Sequence, residues 1–116
     1  MPSTKKSAVD SFNDNFKKTV TEMLLLELLD EQETYIGDLA GILRERSEGR
    51  LSLSFPYAAI YRLLEDEYIE ELKKRNAPDG RRRQFYAITD SGREYLKVIK
   101  EAYRNAVCAV DMILRK

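Results

Sequence analysis

The chain has 116 residues, 43% hydrophobic and 34% charged, a composition that matches one ordinary soluble globular domain with a modest core. Twenty basic residues balance twenty acidic ones, and histidine is absent. With no histidine, no Gly-rich phosphate loop and no metal-ligand spacing, the residues argue against an enzyme, a cofactor or a metal site.

The longest apolar run, residues 23–29, is broken by Glu27 and falls far short of the roughly 18 residues of a membrane span. The first twelve residues carry lysines but no apolar stretch, so no secretory signal is expected. The single cysteine, Cys108, excludes an internal disulfide, and a cytoplasmic setting is expected. It has no basic neighbours, which favours a packed thiol over a redox sensor.

Residues 1–14 are polar and weakly patterned around a lone Val9 and Phe12, and a frayed tail is one reading of the first eight. From about Phe16 to Asp30 the apolar residues Phe16, Val20, Met23, Leu24 and Leu28 recur at helical spacing, so a first helix is expected there. Its Leu24-Leu25-Leu26 triplet suits a helix touched on several sides. Thr34 is the candidate cap of a second helix over residues 35–46, with Ile36, Leu39, Ala40 and Leu43 inward. Gly37 and Gly41 point to close helix packing rather than to phosphate binding, because no strand precedes them. Gly49 is the expected left-handed cap, and Leu51-Ser52-Leu53 reads as a short extended segment.

A third helix is expected over residues 54–67, capped by Ser54. Ile60, Leu63 and Leu64 form its buried face, while Ala58, Tyr61, Arg62 and Glu65 lie opposite. Two alternating runs, residues 69–75 and 83–88, flank the turn Ala77-Pro78-Asp79-Gly80, and the arginines after it lengthen the expected loop. A helix followed at once by a basic-tipped hairpin is the layout of a winged helix. Residues 73–83 hold six basic side chains against one acid, and residues 27–38 hold five acids and no base. The zero net charge therefore hides a phosphate-seeking edge, since screening confines charge effects to about 8 Å.

Thr89 is the expected cap of a last helix reaching about residue 115. Leu96, Ile99, Tyr103, Ala106, Val110 and Ile113 are spaced three and four apart, a heptad seam bordered by Val107 and Leu114. A helix of that length spans about 37 Å, more than so small a domain covers, so self-pairing is expected.

The segments 23–29 (MLLLELL), 57–63 (YAAIYRL) and 82–96 (RRQFYAITDSGREYL) resemble the leucine-rich first helix, the Tyr-Pro-Ala-Leu-x-Arg-Leu segment and the Tyr-x-x-Thr-x-x-Gly-x-x-x-Leu signature of the PadR family of transcription regulators. The resemblance covers residues 16–114. The chain departs from the family pattern at Tyr35-Ile36-Gly37 (usually Gly-Tyr), at Ala58 (usually Pro) and at Glu67 (usually Gly). A non-glycine at position 67 requires another cap geometry or some strain.

The resemblance implies a mainly α fold with a small two-stranded β wing. The whole chain, 1–116, is one unit, with a winged helix-turn-helix over about residues 16–89 and a dimerisation helix over about 90–116. It implies a homodimeric repressor that binds a palindromic operator in double-stranded DNA. The recognition-helix candidates are Ser54, Tyr57, Ala58, Tyr61 and Arg62; Tyr57 as a core aromatic, and Arg62 paired with Glu65 or Asp66, are the competing readings. The wing candidates are Lys73, Lys74, Arg81, Arg82 and Arg83, against a merely solvated tip. Leu96, Ile99, Tyr103, Ala106, Val110 and Ile113 are the dimer candidates. Tyr95 and Tyr103 are candidates to line a pocket for a small-molecule effector of unknown identity, with plain interface packing as the alternative. The rival function is a winged-helix interaction module whose acidic stretches, 27–38 and 65–71, bind a basic partner.

Overall fold

The computed structural model describes residues 7–53 and 56–115. Four helices and four short strands follow one another: α1 (Ala8–Glu31), α2 (Ile36–Arg46), α3 (Pro56–Glu65), β1 (Ile69–Glu71), β2 (Arg75–Asn76), β3 (Arg82–Arg83), β4 (Tyr86–Ile88) and α4 (Asp90–Leu114). The fold is thus mainly helical, with a small antiparallel wing and a long last helix.

The leucine-rich part of α1 is the centre of the core. Leu25 and Leu26 are fully buried and Leu28 and Leu29 nearly so, packed with Leu39 and Leu43 of α2, Ala59, Ile60 and Leu63 of α3, and Ile69, Tyr86 and Ile88 of the ribbon. Each such side chain contributes about 1.5–3 kcal/mol by leaving water. The inward faces read from helical spacing in α2 and α3 are the buried ones.

Several local expectations are corrected. α1 begins at Ala8 rather than near Phe16, because the Ser7 hydroxyl accepts the Asp10 N–H at 3.0 Å and caps it two turns earlier. Thr34 does not cap α2: Tyr35 holds that position without a side-chain hydrogen bond. Instead Thr34 exchanges both backbone hydrogen bonds with Tyr86 (3.1 and 2.8 Å), adding a third extended segment beside β4, and its hydroxyl donates to Asp38 at 2.7 Å. The left-handed residue after α2 is Glu48 (φ 57°), with Gly49 (φ 80°) one step later; the Gly49 N–H closes the turn on the Arg44 carbonyl at 2.7 Å. Gly37 and Gly41 mediate no close helix packing: a Cβ on Gly41 would meet nothing within 4 Å, and one on Gly37 would meet only the Tyr35 ring. Residues 51–53 form no strand, but Leu51 and Leu53 pack against the core. The expected Ser54 cap lies outside the described residues.

The wing is one antiparallel ribbon in two pieces, β1 with β4 and β2 with β3. Between the pairs Glu71↔Tyr86 and Arg75↔Arg83, residues 72–74 face only residues 84 and 85. One extra residue on one strand is a bulge. Leu72 N–H still donates to the Phe85 carbonyl at 2.9 Å, and the Gln84 side chain donates to the Leu72 carbonyl at 2.5 Å. The tip is tighter than expected. Ala77 N–H donates to Arg81 O and Gly80 N–H to Ala77 O, both at 2.8 Å, with Gly80 at φ 84°. Pro78-Asp79-Gly80 is therefore a three-residue loop, and Arg82 and Arg83 belong to the strand.

Helix α3 ends in a Schellman turn whose left-handed residue is Glu67 (φ 63°): Glu67 N–H donates to Leu64 O and Tyr68 N–H to Leu63 O. The start of α4 docks on this turn. Thr89 donates its hydroxyl to Glu67 O (2.8 Å) and its N–H to Tyr68 O (3.0 Å), while its oxygen caps α4 by accepting Gly92 N–H. Gly92 is buried here, and a Cβ on it would stand 2.0 Å from the Tyr68 carbonyl oxygen. Gly92→Ala should therefore destabilise the protein by about 3 kcal/mol or more, seen as a lower urea midpoint. Gly41→Ala, in open space on a helix, should raise stability by roughly 0.5–1 kcal/mol in the same assay.

Candidate nucleic-acid interface

Helix α3 is buried on one side and bare on the other. Ala59, Ile60 and Leu63 are inside, whereas Tyr57 and Tyr61 are 74% and 70% exposed, with Ala58, Arg62 and Glu65 beside them. A core role for Tyr57 is thus corrected: its ring lies in solvent because position 57 falls on the outward side of the helix. The Tyr57 phenol lies close enough to affect the Arg83 guanidinium and the Tyr86 phenol electrostatically, so the start of α3 and the base of the wing are neighbours. Ser54 lies outside the described residues.

Arg62 pairs with neither Glu65 nor Asp66. Its Nε and Nη2 both reach one carboxylate oxygen of Glu22 on α1, forty positions away. No local pattern in the sequence signals that contact.

The wing's cations divide into two groups. Lys73, Lys74, Arg81 and Arg82 are exposed and form no salt bridge among the described residues. The bulge sets the two consecutive lysines where the strand pairing is interrupted. Arg75 and Arg83 are engaged. Arg75 binds Glu33 (3.1 Å) and lies 4.0 Å over the Phe85 ring; Arg83 binds Asp79 (2.7 Å) and lies 5.5 Å from the Tyr35 ring centre. Tyr35 and Phe85 touch at 5.3 Å, so two arginines and two aromatic rings form one column at the root of the wing. Arg83, half-buried in that column, differs from the other wing candidates in being held at both faces. Tyr35 and Glu33 were not among the residues singled out from sequence, since their partners lie about forty and fifty positions on.

The acidic stretch at the end of α1 is matched internally. Glu27 binds Lys100 (2.7 Å), Asp30 binds Arg93 (3.0 Å), Glu31 binds Arg46 (2.5 Å) and Glu33 binds Arg75. Each is a surface pair worth about 0–1 kcal/mol, but together they tie α1 to α2, α4 and the wing.

The long helix also divides. Leu96 is 4% exposed inside the core and Ile99 packs against it, so the first seam residue already has its partners within the chain and is corrected from interface to core. Tyr103, Ala106, Val110 and Ile113 are uncovered, with Val107 and Leu114 alongside. On α1, Val9, Phe12 and Phe16 form a second bare apolar stripe, the two rings 6.3 Å apart. Tyr95 stacks on Tyr68 at 4.1 Å, and with Tyr103, Met23 and Ile99 it lines a groove of about 400 Å³ between α1 and α4. Burial there, and next the nearby Glu22 carboxylate, push the Tyr95 phenol above its ordinary value. Cys108 is exposed, not packed, because position 108 lies on the polar side of α4. Among the described residues, no group of acidic side chains and cysteine is placed to hold a metal ion, and no helix is long and apolar enough to cross a membrane.

A bare helix face beside a cation-bearing ribbon, on a four-helix frame, defines a winged-helix DNA-binding regulator. Residues 25–98 match the model of the transcriptional regulator PadR-like family, and the chain belongs to that family, one of regulators and not of enzymes. No curated protein matches it significantly. Solved structures do. A transcriptional regulator from Clostridium thermocellum is 20% identical, with a TM-score of 0.78 over 87% of this chain and 99% of that one. A PadR-like regulator from Bacillus cereus is 24% identical, with a TM-score of 0.73 over 88% and 98%. A PadR family regulator from Eggerthella lenta is 21% identical, with a TM-score of 0.76 over 91% and 88%.

Asp79 links the turn to the wing. The Arg83 guanidinium, and next the Arg81 N–H (3.0 Å), hold its carboxyl below the ordinary value of 3.8. A lowered pKa means that these contacts are intact at neutral pH and are lost as pH falls through the lowered value. The Arg81 amide resonance should therefore titrate with a midpoint below 3.8, and in Asp79→Asn that step should vanish.

Proposed function

We propose that this regulator acts in the cytoplasm as a homodimeric repressor on a palindromic operator. Ala58, Tyr61 and Arg62, with Tyr57 and Ser54 at the helix start, face the major groove. Lys73, Lys74, Arg81 and Arg82 meet phosphates from the wing, with Arg83 supporting them from the column. The observation that carries this reading is the pairing of an exposed Tyr57–Tyr61 face with adjoining unpaired cations, while the acids of residues 27–33 are neutralised within the chain. That same neutralisation counts against the acidic-module alternative, whose remaining acids are the exposed Glu65, Asp66, Glu70 and Glu71.

The dimer is proposed to form through Tyr103, Ala106, Val110 and Ile113 of α4, helped by Val9, Phe12 and Phe16 of α1. Two-fold symmetry then sets half-sites about 34 Å apart. An effector of unknown identity would enter the α1–α4 groove beside Tyr95 and Tyr103.

Selection from a randomised duplex pool should enrich palindromes. Arg81→Ala with Arg82→Ala should weaken binding to all sequences alike and reduce the slope of log affinity against log salt by about 2. Wild-type protein that ignores DNA at low salt would sink the reading. Val110→Asp with Ile113→Asp should give a folded monomer by sedimentation, since these side chains contribute nothing to the protomer's core. A dimer that survives both charges would place the interface elsewhere.

A further inference from the structure

The Arg62–Glu22 contact joins the outward face of α3 to the frame behind it. A guanidinium has five N–H donors, and a carboxylate on the Nε/Nη2 edge engages two. The end-on pair, one hydrogen from Nη1 and one from Nη2, remains open. That pair has the spacing of guanine O6 and N7. The Arg62 side chain is 57% exposed while Glu22 is only 25% exposed, so the carboxylate is the recessed member and the arginine the presented one. Glu22 itself is carried on α1 within two residues of the buried Val20, Thr21 and Leu25 region, so its position is set by the core and not by a mobile loop.

We propose that Glu22 is a positioning residue for sequence readout: it holds Arg62 by one edge so that the other edge reads a guanine in each half-site. The proposal rests on the DNA-binding reading and adds a specificity determinant to it. The arrangement also separates Arg62 from the wing cations in kind. With its charge offset by Glu22, Arg62 adds little to the salt-dependent attraction to phosphates. What it offers is a fixed hydrogen-bonding edge, whose free rotation the carboxylate has already removed. An unheld arginine at the same place would reach bases and phosphates alike.

The test is selection from a randomised duplex pool run in parallel with wild type, Glu22→Gln, Glu22→Asp and Arg62→Lys, each first checked for an unchanged melting transition. Wild type should enrich a motif with a guanine at one fixed position per half-site. Arg62→Lys and Glu22→Gln should both lose preference at that position alone, within the roughly 5- to 150-fold that one bidentate arginine–guanine pair is worth. Their double variant should lose no more than either. Glu22→Asp, which keeps the carboxylate but withdraws it by a methylene, should fall between, and it stands in if Glu22→Gln melts early. Binding to unrelated duplex should be unchanged or slightly tighter in Glu22→Gln, because a negative charge has left the surface.

Full guanine preference in both Glu22 variants, beside a loss in Arg62→Lys, overturns the positioning role and leaves readout by Arg62 alone. A uniform loss of preference at every position overturns it in favour of a plain α1–α3 staple. A wild type that enriches no motif overturns the DNA reading itself and this proposal with it.

Discussion

The carbonyl groups of Glu67 and Tyr68 are where this architecture is tied together. Helix α3 ends in them, strand β1 leaves from the next residue, and strand β4 ends one residue before Thr89, which binds both. A left-handed glutamate costs about 1–2 kcal/mol relative to glycine. The hydrogen bonds that converge on the turn, each worth about 0.5–1.5 kcal/mol, hold it there. Because α3 carries the exposed tyrosines and α4 carries the bare seam, this one knot sets the angle between them. Any rotation of α4 about it would change the distance between two recognition helices in a dimer. Gly92 makes the knot compact: only a residue without Cβ lets α4 approach the Tyr68 carbonyl.

Charge is arranged by the same economy of contacts. The chain is neutral overall, yet its acids and bases do not cancel evenly in space. Carboxylates at the end of α1 take up Arg46, Arg75, Arg93 and Lys100, which would otherwise spread positive charge over the frame. What is left unpaired lies at the wing's bulge and tip. A net charge of zero thus says nothing about phosphate binding here. The pairing pattern does.

Much of this was legible in the sequence because it depends on local period and turn chemistry. The inward Ile60 and Leu63, the outward Ala58 and Tyr61, the Pro78-Asp79-Gly80 turn and the Thr89 cap all follow from spacing of four residues or fewer. What was not legible depends on distant partners. Val9 and Phe12 look isolated until Ser7 is known to cap a helix beneath them. Leu96 fits a heptad seam equally well whether the surface facing it belongs to another chain or to its own core. Arg62 has two acids within four positions, and α1 supplies a third that prevails, because the core fixes Glu22 in place while Glu65 and Asp66 face solvent. The bulge at residues 72–74 is likewise invisible in a run that alternates acceptably without it.

The segment Tyr35-Ile36-Gly37 shows how a departure from a family pattern can be self-consistent. The Tyr35 ring lies so close over Gly37 that an added Cβ would come within 3.1 Å of it. Tyrosine at 35 and glycine at 37 are therefore one unit, in which the missing side chain makes room for the ring. Placed there, the ring meets Phe85 on the wing and approaches Arg83, whose other contact is Asp79 at the tip. Phe85 in turn carries Arg75, which Glu33 holds from the same α1–α2 connection. The connection that lost the usual Gly-Tyr order thus grips the wing at two points, beside the backbone bridge from Thr34 to Tyr86. A two-stranded ribbon alone is marginally stable in water. Here its root is braced by a third extended segment and an aromatic column, so that the cations beyond it project from a fixed base.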